Sequence, residues 1–263
     1  MLEIDCSGLN SMRIWFALIL TCLLQPAFAT PKAQWQQLQT GIEYYHFVPD
    51  NAVLWSHIQA FRIDPKQYHF QLVFAQDQHL TNSSVKTLSE SQQALIGING
   101  GFFSTDFGPI GLRISNGKLR SPLKAISWWG IFYLQGGVPH IDSQSQFKYR
   151  PNIEFALQSG PRLLIDSKIP KLKIGVAQRT ALGITRQGKI VIMVTQNYPM
   201  TTQDLALTMR DILECTDALN LDGGSSTQLY AKIGAFNLLI PGYSNIADAL
   251  VVTPKNAALT PAI

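Results

Sequence analysis

Cysteine is scarce in this chain, charge is sparse, and no apolar run approaches the length of a bilayer span. Only three of the 263 residues are cysteine, and two of them, Cys6 and Cys22, fall in a segment that reads as a removable leader. Cys215 then stands alone, so no internal disulfide can form and the fold must rest on its core. Charged residues make up 14% of the chain, against roughly 25% in ordinary soluble domains. Hydrophobic residues make up 46%, which excludes a disordered chain, a coiled coil and a charged tail protein. The net charge of +4 is small and scattered, with no Lys/Arg-rich run, so nucleic acid is not an expected partner.

Cofactor and metal signatures are missing as well. His46, His57, His69, His79 and His140 form no H-x-H or H-E-x-x-H pattern and pair with no cysteine. Gly97-x-x-Gly100-Gly101 lacks the Rossmann and phosphate-loop spacings. Neither Ser159 nor Ser225 carries both flanking glycines of a nucleophile elbow. Dehydrogenases, kinases, zinc hydrolases and serine esterases are thereby excluded, and no cofactor is predicted. A divalent cation beside Asp222 and its neighbouring hydroxyls is the one open possibility.

What the chain does have begins with Met12-Arg13, an 11-residue apolar run over 14–24, and Ala27-Phe28-Ala29. A positive start, a short apolar stretch and an A-x-A site are the grammar of a secretory signal peptide. The run is too short for a membrane helix, which needs about 20 apolar residues. The expected organisation is a start at Met12, a leader through residue 29 and one domain over 30–263. The mature protein is expected to be periplasmic or secreted, with no integral membrane segment. The leader holds Glu3, Asp5 and Arg13, so its removal leaves the rest one unit more basic.

Beyond the leader, strands dominate. Tyr68, Phe70, Leu72 and Phe74 alternate with mostly polar residues, as in a strand buried on one face. Asn116-Gly117 and Gln187-Gly188 are tight-turn signals between apolar arms. Residues 110–115 and 125–134 read as strands, and 190–195 is apolar enough to be central. Helices are expected over 85–94 and, more strongly, over 203–216. In the second, Leu205, Met209, Ile212 and Leu213 form a stripe, Thr201-x-x-Asp204 provides a capping box, and Cys215 is packed. The fold class is α+β, a single domain with a large, mostly antiparallel sheet and a few packed helices.

Three segments combine strand ends with polar groups. Asn99-Gly100-Gly101-Phe102-Phe103 places a carboxamide and a glycine pair after an apolar strand, where the backbone can approach a ligand or simply turn over core phenylalanines. Asn220-Leu221-Asp222-Gly223-Gly224-Ser225-Ser226 carries a carboxylate to the edge of a glycine turn whose N–H groups could form an anion nest. Arg179 opens the strand Arg179-Thr180-Ala181-Leu182-Gly183, where a guanidinium needs either an ion-pair partner or a cleft with phosphate or carboxylate.

In this order, these segments, together with Gly108-Pro109-Ile110-Gly111-Leu112 and Ser159-Gly160-Pro161-Arg162-Leu163, resemble the phosphodiester glycosidase family over about residues 40–253. The chain departs from it at Gln196-Asn197-Tyr198, where the family often carries Asp-Gly-Arg. It departs again at Tyr243-Ser244-Asn245, where many members place an arginine.

The resemblance implies an exported hydrolase that cleaves a sugar-1-phosphate diester, with a sugar-phosphate or phosphorylated glycan of the envelope as partner. It assigns Asp222 as nucleophile or base, Arg179 to phosphate, and Asn99 to sugar or phosphate oxygens. Gly100, Gly101, Phe103, Gly223, Gly224, Ser225 and Ser226 would line the substrate, with Asp106 as a second carboxylate. The alternative is a non-catalytic envelope module that binds phosphorylated polysaccharide.

Overall fold

A computed structural model describes residues 33–49, 52–53 and 55–255. The leader expected through residue 29, its start at Met12 and the two cysteines of the removed segment lie outside the described residues. Strands account for most of the regular structure, and every pairing between the described strands is antiparallel.

The mostly antiparallel architecture is as expected, but the strands divide among separate sheets. The first has seven strands, in the order Gln36–Gln39, Ile42–Phe47, His57–Ile63, Ile190–Gln196, Thr180–Thr185, Cys215–Asn220 and Arg162–Leu164. The second has five, in the order Phe236–Ile240, Leu229–Ile233, Ile96–Asn99, Asp248–Pro254 and Tyr68–Phe74. The third also has five, in the order Lys118–Ser121, Arg113–Ser115, Ile153–Ser159, Gly130–Gln135 and Val138–Ser143. A two-stranded ribbon, Val176–Ala177 with Met200–Thr201, stands beside them.

One core unites the three sheets. Phe61, Leu182, Ile192 and Leu219 of the first pack with Phe70, Ile98, Leu229 and Leu250 of the second and with Phe132, Phe155 and Leu157 of the third. The other face of the seven-stranded sheet is covered by the helical segment after residue 201, through Leu205, Met209 and Leu213 against Ala181, Met193 and Ala218. The apolar run 190–195 is indeed central, between His57–Ile63 and Thr180–Thr185.

Several boundaries differ from the sequence expectation. The second helix runs only over Thr202–Leu207 and widens into a π-helical turn over Thr208–Ile212. Its Thr201 cap accepts the Asp204 N–H at 3.0 Å, as the capping box implies. Cys215 is therefore not on a helix but opens the strand Cys215–Asn220. The break comes at Glu214, whose φ of 57° ends the helical path. The stripe was misleading because Cys215 continues its apolar surface from a strand; Gly183 leaves room for the thiol, since a Cβ there would lie 2.5 Å from Sγ. Burial pushes that thiol far up, so it packs rather than reacts.

The first helix covers Val85–Glu90, capped by Ser84. In place of strands from 110 and 125, the pairing begins at Arg113 and Gly130, because the preceding residues form loops. No helix among the described residues is long and apolar enough to cross a membrane.

Leu182 lies in the middle of this core, opposite Ile192 on one side and Leu219 on the other. Leu182→Ala is expected to cost about 2–5 kcal/mol in chemical denaturation, the usual range for a fully buried leucine.

Candidate active site

Antiparallel pairing brings the distant segments to one end of the fold. Ala181 sits opposite Asn220, so Arg179, just before one strand, and Asp222, just after the other, leave the seven-stranded sheet at the same edge. In the second sheet Ile98 pairs with Leu229 and Asn99 with Ala249, which brings the Asn99 end of that strand to the residues following the glycine turn.

Asn99 joins the two sheets. It is fully buried, and its Nδ2 donates to the Asp222 carbonyl at 2.8 Å. Its Oδ1 accepts the Thr180 hydroxyl at 2.7 Å and the Gln228 N–H at 3.2 Å. The carboxamide is thus spent inside the protein, where it fixes the backbone that carries Asp222.

Asp222 is half-buried. Burial raises its carboxyl above the ordinary range; the Ser226 hydroxyl and the Gly223 N–H, the latter at 2.9 Å from Oδ1, oppose the rise. Asp248 adds a further upward push and Arg113 a downward one. The glycine turn is shaped for this placement. A Cβ on Gly223 would lie 2.6 Å from the Gln178 carbonyl, and Gly224 has a φ of 61°, which favours glycine.

The turn is not an open anion nest. The Gly223 N–H goes to Asp222, the Gly224 N–H to the Gln178 carbonyl, and those of Ser226 and Thr227 to the Gly223 and Gly224 carbonyls. Ser225 is exposed, and its hydroxyl accepts from that of Ser244 at 3.1 Å.

Arg179 lies beside the turn by its backbone, but its side chain runs elsewhere. Nε donates to the Met200 carbonyl at 3.0 Å and Nη2 to that of Gly175. The guanidinium is buried and braces the ribbon 176–177/200–201 against the sheet. Phe103 stacks on Phe107 at 5.2 Å. Asp106 is exposed and closes its own loop, accepting from the Ser104 hydroxyl and the Gly108 N–H; these bonds hold its carboxyl low. Among the described residues no group of three or more His, Cys, Asp or Glu side chains is placed to hold a metal ion. Two surface hollows of about 430 and 510 Å³ occur, lined in part by Glu43, Arg62 and Lys189 and by Lys66, Tyr68 and Lys255; neither includes Asp222.

The sequence reading missed the most constrained element, a fully buried ion pair between Arg113 and Asp248, with Nε to Oδ2 at 3.2 Å. Arg113 also donates to the carbonyls of Gln158, Phe102, Leu112 and Ile110 at 3.0–3.3 Å. The pair explains the two glycines after Asn99. A Cβ on Gly100 would fall 1.7 Å from Asp248 Oδ1, and one on Gly101 would fall 2.6 Å from Arg113 Nη2. Backbone does approach closely here, but to an internal ion pair. The available signal was a charged residue within each of two otherwise apolar stretches, 110–114 and 246–252.

A family model described as phosphodiester glycosidase matches residues 92–253. An uncharacterized Escherichia coli K12 protein, YigE, is 27% identical over 194 residues, which is 68% of this chain and 76% of the relative. Among solved structures, the catalytic domain of zebrafish N-acetylglucosamine-1-phosphodiester alpha-N-acetylglucosaminidase, auto-inhibited by its pro-peptide, superposes with a TM-score of 0.65 at 17% identity. It covers 84% of this chain and 86% of that one. A hypothetical protein from Synechocystis gives a TM-score of 0.60 at 15% identity, covering 85% and 64% respectively. At these identities the two structures establish shared architecture.

Removing one partner of the buried pair leaves the other charge uncompensated. Asp248→Asn is expected to cost about 3–5 kcal/mol in denaturant unfolding. Gly100→Ala, which drives a methyl into the same carboxylate, should destabilise comparably; a variant of either kind with wild-type stability would show that the pair is not structural.

Proposed function

As the chain belongs to the phosphodiester glycosidase family, we propose that it is an exported hydrolase of sugar-1-phosphate diesters, acting on envelope or extracellular phosphorylated glycans. The observation that carries this reading is the Asp222 carboxylate: desolvated, raised in proton affinity, and held at the meeting point of the family's segments by Asn99 and the glycine turn. In the reaction, water adds through oxygen to the anomeric carbon while the bond from that carbon to the phosphate oxygen breaks. The electron pair leaves with the phosphomonoester, and the water proton passes to Asp222. A phosphomonoester, whose second pKa is about 6, departs as an anion with little help from a general acid. The greater need is a base placed at the oxocarbenium-like centre. A carboxylate with raised proton affinity suits that task better than a fully solvated one.

In this reading Ser225 supplies an exposed hydroxyl to the diester, and Phe103 forms part of the wall. Gly100 and Gly101 shape the floor through the ion pair beneath them. Arg179 acts as a positioning residue through the Gly175 and Met200 carbonyls that it holds, and Asn99 positions Asp222 through its backbone. Cys215, the one cysteine among the described residues, is buried, which is compatible with an oxidising compartment outside the cytosol.

Asp222→Asn tests the assignment. The raised carboxyl means that the folded chain binds this proton more tightly than the unfolded chain. Its stabilising contribution is therefore full at low pH and is lost as pH rises through the folded value. Above that value the ionised Asp222 is a cost, so there the asparagine variant should melt no lower than wild type. Its kcat/KM on a sugar-1-phosphodiester should fall about 10²–10⁴-fold. Undiminished turnover would refute the role, and binding of an anionic glycan with no turnover by either protein would identify a non-catalytic module instead.

A further inference from the structure

We propose that segment 168–176 is a docking surface for an anionic lipid bilayer. Its sequence, Lys168-Ile169-Pro170-Lys171-Leu172-Lys173-Ile174-Gly175-Val176, sits in a stretch, 167–201, that contains no aspartate or glutamate. Lys168, Lys171 and Lys173 are all exposed. Ile174 is 90% exposed and Val176 65%.

These two side chains are not left out by accident of a loose loop. Ile169 and Leu172 pack against the cluster beneath the helix and anchor the segment from below. The Lys173 carbonyl accepts the Thr202 hydroxyl at 2.6 Å, the Gly175 carbonyl accepts from Arg179, and Val176 pairs with Thr201. The backbone is thus fixed on its inner side at three successive points, while two aliphatic side chains and three ammonium groups project outward.

The combination selects the partner. Clustered lysines attract an anionic surface of any kind, whether polymer or lipid. Of these two, only a bilayer offers the aliphatic side chains beside them an apolar environment, in which they enter the acyl boundary while the lysines remain at the headgroups. An acidic polysaccharide would need the lysines and would gain nothing from Ile174 and Val176. The surface also adjoins the candidate active site, because Gln178, two residues beyond Val176, accepts the Gly224 N–H at 2.8 Å.

The test is sedimentation of the purified protein with vesicles of phosphatidylcholine alone and of phosphatidylcholine with phosphatidylglycerol. Wild type should bind the second kind preferentially. Each lysine near an anionic surface contributes about fivefold in affinity, so K171E/K173E should lose at least about tenfold. I174S/V176S should lose a similar factor, with both variants melting as wild type because the changed side chains are exposed. Absence of vesicle binding would overturn the proposal. So would loss confined to the lysine variant, because charge alone serves any acidic surface and Ile174 and Val176 would then have no part in docking. The readout is binding, so either failure leaves the hydrolase reading intact.

Discussion

The buried Arg113–Asp248 pair is the constraint around which this end of the fold is arranged. The two residues lie 135 positions apart, one on the third sheet and one on the second, and both are withdrawn from water. A buried pair need not stabilise a fold more than apolar packing would, but once present it tolerates no loss of a partner. Its cost here is offset by the carbonyls around the guanidinium, which fix the loop from Phe102 to Leu112. The same pair requires Gly100 and Gly101 to lack side chains. It thereby sets the path of the chain leaving Asn99, and it reaches Asp222 electrostatically through both of its charges.

From that base the site is assembled mainly with backbone. Asn99 spends its carboxamide on the carbonyl of Asp222, the hydroxyl of Thr180 and the N–H of Gln228, and so stitches the second sheet to the first. The glycine turn directs one N–H at the carboxylate and spends three others internally. The result is a carboxyl group held in position with little solvent, the condition that raises a carboxylate's proton affinity and with it its strength as a base. Arg179 belongs to the same scheme, since it braces the ribbon that lies along the turn. The chemistry that solvent can reach is left to the exposed Ser225 and the half-buried Ser244 and Asp222.

Much of the local structure was legible in the residues. Asn116-Gly117 and Gln187-Gly188 mark real hairpins, with positive φ at Asn116, Gly117 and Gly188. The apolar run at 190–195 is central, and Thr201 caps its helix. The order of the motif segments also sufficed to identify the family and the Asn99–Asp222 end of the molecule. Features that depend on contacts between distant segments were not legible. Division into three sheets is decided by pairings such as Ile58 with Thr195 and Ile98 with Leu250, which leave no local periodicity. The glycine pair looked like a ligand approach because nothing near it in sequence reveals Asp248. Arg179 looked like a phosphate contact because Met200 and Gly175 meet it only once the ribbon has formed. Cys215 looked helical because the strand that it opens continues the helix's apolar surface.

The most direct test of this account is the titration of Asp222 itself, followed by carboxyl ¹³C chemical shift and assigned by its absence from the Asp222→Asn protein. A site built to desolvate this group predicts a midpoint clearly above the value of about 3.9 for a free aspartate. A midpoint at or below that value would mean that the carboxylate is solvated or firmly paired, and would contradict the proposed role as the base.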